Sequence, residues 1–204
     1  MSGPEGRFAG EHARVLTGVG ASAGGVQALI ALVRELPPQM PAALLVALHV
    51  SRANTSALAA ILQRAGPLAA TTATDGTVPL AGCIYVAPPD RHLLLHDGVL
   101  ELSAGPPEHG HRPAIDPMFR SLAGLGAWAT GVILSGTQDD GTAGLGAIKA
   151  AGGRALVQAP EEAAYDGMIQ SAIANVEVDA VLPVAEIAAR LVRFANAELE
   201  LPAT

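Results

Sequence analysis

The sequence predicts an α/β protein with three layers: a mainly parallel, doubly wound sheet between two layers of helices, plus one antiparallel β-hairpin. Short apolar, β-branched runs alternate with longer runs of helical period along most of the chain, the pattern of a parallel sheet covered on both faces. Residues 43–48 are apolar throughout, as in a strand buried on both faces. Asp97-Gly98 between two alternating runs predicts the hairpin.

Pro and Gly residues mark the ends of the predicted elements in the first half. Pro37-Pro38 ends the first helix, Asn54 can cap the second, and Gly66 can close it. The predicted helices are residues 24–36 and 56–65. The predicted strands are residues 15–19, 43–48, 71–74, 83–87, 92–96 and 99–103, the last two forming the hairpin.

The second half returns to strict alternation. Asp116-Pro117 predicts an N-cap followed by Pro at the first helical position, opening a helix that ends near Leu125. Gly152-Gly153 closes a later helix. The predicted strands are residues 130–134, 155–158 and 180–182, and the further helices are residues 141–151, 167–176 and 185–200.

The bulk properties predict one domain without a nucleic-acid partner. The 204 residues are 50% hydrophobic and 3% aromatic, which predicts a core of Ala, Val, Leu and Ile. We expect a flexible leader at 1–12 and a single domain at 13–204. A net charge of −7 argues against a phosphate-backbone partner. The lone Cys83, the absence of a signal-like N-terminus and the absence of a membrane-length apolar run predict a cytoplasmic protein with no membrane insertion.

The turn after the first strand carries two overlapping motifs. Residues 20–24, G-A-S-A-G, match the nucleophile elbow G-x-S-x-G with Ser22 at the bend. Residues 18–23, G-V-G-A-S-A, match the dinucleotide fingerprint G-x-G-x-x-G/A. The fingerprint requires an acidic residue at the end of the second strand, but His49 stands there, and no Asp or Glu lies between Glu35 and Asp75. This weighs against a dinucleotide site.

Three strand ends carry reactive side chains: Ser22, His49 and the pair Asp139-Asp140. Serine, imidazole and carboxylate at one edge of a sheet predict a Ser-His-Asp triad in which an Asp holds the histidine's Nδ1 proton. A backbone N–H near Ala23 would stabilise the oxyanion. The order differs from that of α/β-hydrolases, whose histidine comes last, because no histidine follows His111 here.

Five motifs in this order resemble the catalytic domain of chemotaxis protein-glutamate methylesterases. They are G-A-S-A-G-G at 20–25, L-H-V at 48–50, A-P-P-D-R-H at 87–92, H-R-P-A-I-D at 111–116 and L-S-G-T-Q-D-D-G at 134–141. The resemblance covers about residues 15–191. It implies hydrolysis of γ-glutamyl methyl esters on the cytoplasmic helices of methyl-accepting chemoreceptors, often with deamidation of receptor glutamines, and no cofactor. It also implies that Ser22 is the nucleophile, His49 the base and Asp140 the orienting acid.

The chain departs from this family near the site. Ala23 stands where members often have Thr, and residues 136–141 read G-T-Q-D-D-G where they commonly read G-M-G-N-D-G. Ala23, Gly24 and Thr137 are the near-site and oxyanion candidates. Members usually carry a phosphorylatable receiver domain ahead of the esterase, whereas about a dozen residues precede the first strand here. We therefore expect control by a separate response regulator, by another regulatory protein or by receptor docking.

Other interpretations of the same residues stay open. Ser22 can be a small turn residue, and Asp139 or Asp140 an N-cap. His92 and His96, with His109 and His111 nearby, leave a zinc site as a minor alternative, although no cysteine or H-E-x-x-H motif supports it, and no metal is expected. His111 and Arg112 are expected to pack or to bind substrate at the rim. A catalytically impaired binding or scaffolding module of the same fold is the alternative function.

Overall fold

A seven-stranded, fully parallel sheet forms the centre of the protein. The computed structural model describes residues 11–49 and 57–199. The sheet order is β3-β4-β2-β1-β7-β8-β9, with β5 and β6 as a separate antiparallel hairpin. The strands are β1 Val15–Ala21, β2 Ala42–Leu48, β3 Ala69–Thr72, β4 Cys83–Val86, β5 His92–His96, β6 Val99–Ser103, β7 Ala129–Ile133, β8 Arg154–Gln158 and β9 Ala180–Leu182.

Within residues 11–49 and 57–199, six α-helices cover the sheet on both faces. They are α1 Gly25–Glu35, α2 Leu58–Ala65, α3 Ile115–Ala123, α4 Thr142–Ala150, α5 Gly167–Asn175 and α6 Val184–Leu199. One apolar core joins α1, α2 and α6 to the sheet, and the other joins α3, α4, α5 and the hairpin to its opposite face. These two cores confirm the predicted three-layer α/β architecture. The predicted hairpin is also present, and its turn residues Asp97 and Gly98 have φ of 48° and 80°. Among the described residues, no helix is both long and apolar enough to cross a membrane.

Most predicted elements are present, with boundaries shifted by one or two residues. One prediction was wrong: α3 begins at Ile115 after Ala114, so Asp116 lies inside the first turn and is not the N-cap. The reason is that the Asp116 carboxylate is buried and accepts the N–H of Gly144 at 2.6 Å, which ties α3 to α4. The predicted cap at Asn54 lies outside the described residues.

The predicted leader falls mostly outside the described part of the chain. Residues 1–10 are not described, so their flexibility stays a prediction. The last two residues of the predicted leader contact the domain: Ala81 donates its N–H to the Glu11 carbonyl, and His12 forms a β-bridge with Leu80.

Helix α3 lies unusually close to the central strand β1. A Cβ added at Gly20 would overlap the Ile115 side chain, and one at Gly18 would meet Phe119 and Leu122 at about 2.8 Å. Gly18 and Gly20, the two glycines of the dinucleotide-like motif, therefore allow α3 to pack closely against β1. This packing brings the start of α3 to the carboxyl end of β1.

Candidate active site

The three predicted strand ends lie side by side, because β1 is flanked by β2 and β7. The Ser22 N–H donates to the Ser135 carbonyl at 3.0 Å, and the His49 N–H donates to the Ala21 carbonyl at 3.3 Å. These backbone bonds fix Ser22 between the residues that follow β2 and β7. The position is the carboxyl edge of a parallel sheet, where such folds collect their ligands.

Ser22, His49 and Asp140 form one hydrogen-bonded chain. His49 Nδ1 lies 3.1 Å from Ser22 Oγ, and His49 Nε2 lies 2.7 Å from Asp140 Oδ2. The side chains of His49 and Asp140 are 6% and 1% exposed. The prediction that Asp140 holds the Nδ1 proton was wrong, because Asp140 contacts Nε2 and Ser22 contacts Nδ1. The ring approaches the serine with Nδ1, so a neutral His49 that accepts from Ser22 carries its proton on Nε2.

Asp140 is kept ionised by backbone donors as well as by His49. The first turn of α3 donates the Ile115 N–H to Oδ2 at 2.7 Å and the Asp116 N–H to Oδ1 at 2.9 Å. Burial favours the neutral acid, but the hydrogen bond with His49 and these two N–H groups outweigh it and lower the pKa of Asp140. Asp139, by contrast, has a side chain 64% exposed and lies beside His109. The geometry therefore pairs His49 with Asp140 and not with its neighbour.

His111 stacks on His49. The ring centroids are 3.7 Å apart with an interplanar angle of 9°. Burial, together with the positive charge that His49 can carry, lowers the pKa of His111. A neutral His111 ring therefore covers one face of His49 and shields it from water.

Arg112, the other predicted rim residue, forms hydrogen bonds with two loop segments. Its guanidinium donates to Asp90 Oδ1 through Nε at 3.0 Å and Nη2 at 2.7 Å. It also donates through Nη1 to the carbonyls of Ala104 and Gly105, both at 2.8 Å. These four hydrogen bonds join the segment after β4 to the segment after β6.

The turn at Ser22 leaves backbone donors available. Gly24 is left-handed, with φ 73°, and a Cβ there would overlap Ala164 and Ser135, so the turn requires glycine. Gly25 donates to the Ser22 carbonyl at 2.9 Å. Across residues 11–49 and 57–199, no acceptor bonds the N–H of Ala23 or Gly24. These two N–H groups lie at the start of α1, where the helix dipole favours negative charge.

The loop that leads to Asp140 lies against the serine. A Cβ added at Gly136 would meet Ser22 Cβ at 3.0 Å and overlap Met168. Thr137, the third near-site candidate, follows directly and is exposed. Gln138 is left-handed, with φ 68°.

Comparison with known proteins identifies the family. The family model described as CheB methylesterase matches residues 17–191, which is most of the chain. The chain belongs to the CheB methylesterase family. This confirms the family resemblance seen in the motifs.

Individual relatives agree with this assignment. Two proteins of Anaeromyxobacter dehalogenans (strain 2CP-C), named protein-glutamate methylesterase/protein-glutamine glutaminase 2 and 6, are 42% and 43% identical over 83% and 91% of this chain and 50% and 55% of their own lengths. The chain therefore spans about half the length of these relatives. The crystal structure of the Thermotoga maritima CheB methylesterase catalytic domain superimposes with a TM-score of 0.84 at 30% identity, covering 88% of this chain and 97% of that one.

The structure also shows site residues that the sequence patterns missed. The Ser135 hydroxyl donates to the Ala23 carbonyl at 2.8 Å and accepts the Tyr165 N–H at 3.1 Å, so it holds the turn at Ser22. His109 and Asp116 form a second histidine–carboxylate pair beside Asp140. Asp116 is the last residue of the H-R-P-A-I-D motif and His109 lies two residues before it, but the motif does not distinguish a cap from a buried ion pair.

The histidines considered for zinc do not converge. His92 Nε2 donates to the Pro106 carbonyl at 2.9 Å, and its Nδ1 accepts the Ala114 N–H at 3.2 Å. His96 lies exposed beside Asp97. Among the described residues, His109, Asp116 and Asp140 each have one possible ligand atom, a ring nitrogen or a carboxylate oxygen, within 4.8 Å of the other two. Hydrogen bonds already occupy both carboxylates of that group, through Ile115, Asp116, Gly144 and the two histidines.

Proposed function

We propose that the protein hydrolyses γ-glutamyl methyl esters on the cytoplasmic helices of methyl-accepting chemoreceptors and releases methanol. The observation that carries this proposal is the Ser22–His49–Asp140 chain of hydrogen bonds at the carboxyl edge of a CheB-family sheet. The relatives' names also include protein-glutamine glutaminase, so we include deamidation of receptor glutamines at the same site. The proposal includes a cytoplasmic location, because the receptor helices that carry these esters are cytoplasmic.

In the acylation step, His49 acts as a base through Nδ1. It takes the Ser22 proton as Oγ attacks the ester carbonyl, and Asp140 stabilises the resulting imidazolium through Nε2. The carbonyl oxygen becomes an oxyanion, for which the N–H groups of Ala23 and Gly24 are the donors. His49 then gives the proton to the departing methoxide, which leaves as methanol, and an acyl-serine ester remains.

In the deacylation step, water replaces the alcohol. His49 takes a proton from the water as its oxygen attacks the acyl carbon. The tetrahedral intermediate collapses by breaking the bond to Ser22 Oγ, which regains its proton from His49. The products are the receptor glutamate and the free enzyme. The reaction needs no external electron donor or acceptor.

Two measurements on the same variants test this function. We expect Ser22→Ala to lose labelling by a fluorophosphonate and to lose methanol release from methylated receptor by at least about 10³-fold. Ser103→Ala, on the hairpin, is the matched control and should behave like the parent in both assays. Near-full methanol release by Ser22→Ala would overturn the triad. A parent that binds receptor but neither labels nor releases methanol would favour the binding or scaffolding module.

A further inference from the structure

A second histidine–carboxylate pair lies beside the triad, on the far side of Asp140 from His49. His109 Nε2 is 2.9 Å from Asp116 Oδ2 and 4.0 Å from Asp140 Oδ1, and His109 Nδ1 is 3.3 Å from Asp139 Oδ1. Both ring nitrogens therefore face carboxylate oxygens, which only accept hydrogen bonds when ionised. Both nitrogens can donate only in the imidazolium form. The geometry thus favours a cation at His109.

The surroundings of His109 supply a reason for that cation. Asp116 and Asp140 are both buried, at 1% and 0% exposure. Asp116 lies in the first turn of α3, and Asp140 accepts two backbone N–H groups from that turn. Burial raises the pKa of Asp116, and the negative charge of Asp140 raises it further because the two carboxylates repel each other. A positive charge between them offsets this repulsion.

We propose that His109 is a positioning residue for the catalytic site: as a cation bound to Asp116, it balances the second buried carboxylate and offsets part of the negative charge of Asp140 beside His49. This proposal rests on the proposed function. A positive charge 4.0 Å from Asp140 offsets part of the negative charge that stabilises protonated His49. Removing that positive charge leaves an additional uncompensated negative charge at the site, so we expect labelling of Ser22 to begin at a higher pH without it.

The remaining charges around His109 are consistent with this role. Burial opposes its protonation, but the charge of Asp140, the hydrogen bond and charge of Asp116 and the charge of Asp139 together raise the pKa of His109. The cationic form of His111 would oppose it, but burial and the charge of His49 lower the pKa of His111. Glu108, next in the chain, is paired with Arg120. A cavity of about 390 Å³ lined by His109, Asp116 and Asp139 gives the ring access to solvent protons.

The pH dependence of fluorophosphonate labelling tests this role without needing receptor substrate. His109→Gln keeps an amide that can donate to Asp116 but removes the charge. In this variant we expect the onset of labelling to move to a pH about 0.5–1 unit higher than in the parent. On the alkaline plateau, its labelling rate should be within about 3-fold of the parent's. His109→Lys puts a cation back, and its profile should return toward the parent's. His96→Gln, which removes an exposed histidine on the hairpin, is the matched control and should leave the profile unchanged.

Each outcome separates the two proposals. An unchanged pH profile in His109→Gln, or an equal displacement in His109→Lys, would overturn the role of His109 while leaving the esterase proposal intact. Absence of Ser22-dependent labelling in the parent would overturn the esterase proposal itself. NMR titration of the parent protein gives a second measurement if a variant does not fold: the pKa of His109 should lie above the ordinary histidine value of about 6.5. Titration of His109 at or below a pH of about 6.5 would contradict the proposal.

Discussion

His49 and His109 both lie against buried aspartates, yet their surroundings prepare them for opposite roles. His49 has a hydroxyl on one nitrogen and a carboxylate on the other, a stacked ring on its face, and a side chain 6% exposed. His109 has a carboxylate on each nitrogen and a side chain 31% exposed, in a left-handed backbone conformation.

The partner of the second nitrogen decides the difference. A carboxylate can orient a histidine and stabilise its charge, as Asp140 does for His49 and Asp116 for His109. With an uncharged hydroxyl on the other nitrogen, the ring can accept a proton from it and act as a base. With a second carboxylate 3.3 Å from the other nitrogen, as Asp139 is for His109, a positive charge on the ring is favoured. A histidine–aspartate pair alone therefore does not identify a catalytic base.

The largest expected effect comes from breaking the His49 side of this comparison. Asp140→Asn should lose on the order of 10⁴-fold in methanol release, the size seen when a triad acid becomes an amide. It should also reduce stability, because an amide nitrogen would face a backbone N–H of Ile115 or Asp116. Methanol release at saturating receptor, with circular dichroism to verify folding, measures the two effects separately.

Asp139→Asn is the matched control. The residue is exposed and contacts His109, so the substitution should cost little activity. It removes a negative charge from the neighbourhood of the site, so any change in the onset of activity should be toward lower pH. If Asp139→Asn instead loses most of the methanol release while Asp140→Asn retains it, then Asp139 is the orienting acid.

A smaller effect is expected from exposing the face of His49. His111→Ala removes the stacked ring, and loss of about 0.5–1.5 kcal/mol of stacking should lower kcat/KM on the order of 2- to 10-fold. His111→Phe keeps a ring at 3.7 Å without a titrating group, so it should retain most of the activity. Equal losses in the two variants would indicate that His111 contributes through a nitrogen and not through stacking.

A third effect concerns how stability depends on pH at the His109 side. A histidine with a raised pKa in the folded state stabilises the fold fully below its usual pKa of about 6.5, and this contribution is lost as pH rises through the raised value. The difference in Tm between the parent and His109→Gln should therefore be largest near pH 6 and shrink in more alkaline buffer. A difference that stays constant from pH 6 to pH 9, measured by thermal denaturation, would contradict this expectation.

The smallest effect concerns the loop that presents both aspartates. Gln138 has φ 68°, so Gln138→Gly should relieve left-handed strain. After the entropy cost of glycine, we expect a gain of about 0.5–1 kcal/mol, or roughly 1–4 °C in Tm. Gln170→Gly, at an exposed position inside α5, is the control and should lose about 1 kcal/mol. A loss of stability in Gln138→Gly would show that the glutamine side chain outweighs the strain.

Sequence patterns predicted the architecture because its signals are local. The apolar run at 43–48, the Asp97-Gly98 turn and the alternation of strands and helices each depend on neighbouring residues. The predicted start of α3 was wrong, because Asp116-Pro117 matches an N-cap signal but the Asp116 carboxylate accepts the N–H of Gly144 in another helix. That bond joins residues 28 positions apart, which no local pattern reports.

The sequence by itself determined that Ser22, His49 and the pair Asp139-Asp140 lie at one edge, because they follow strands that a parallel, doubly wound sheet brings together. The choice of Asp140 came from the family resemblance. Only the tertiary structure decided how they meet. The position of the His49 ring assigns Nδ1 to Ser22 and Nε2 to Asp140, and the close packing of α3 on β1 aims two backbone N–H groups at Asp140. The His111 stack and the His109 ion pair depend on that same packing. Side-chain direction and charge balance arise from contacts between distant segments, so they become visible only when those segments are packed together.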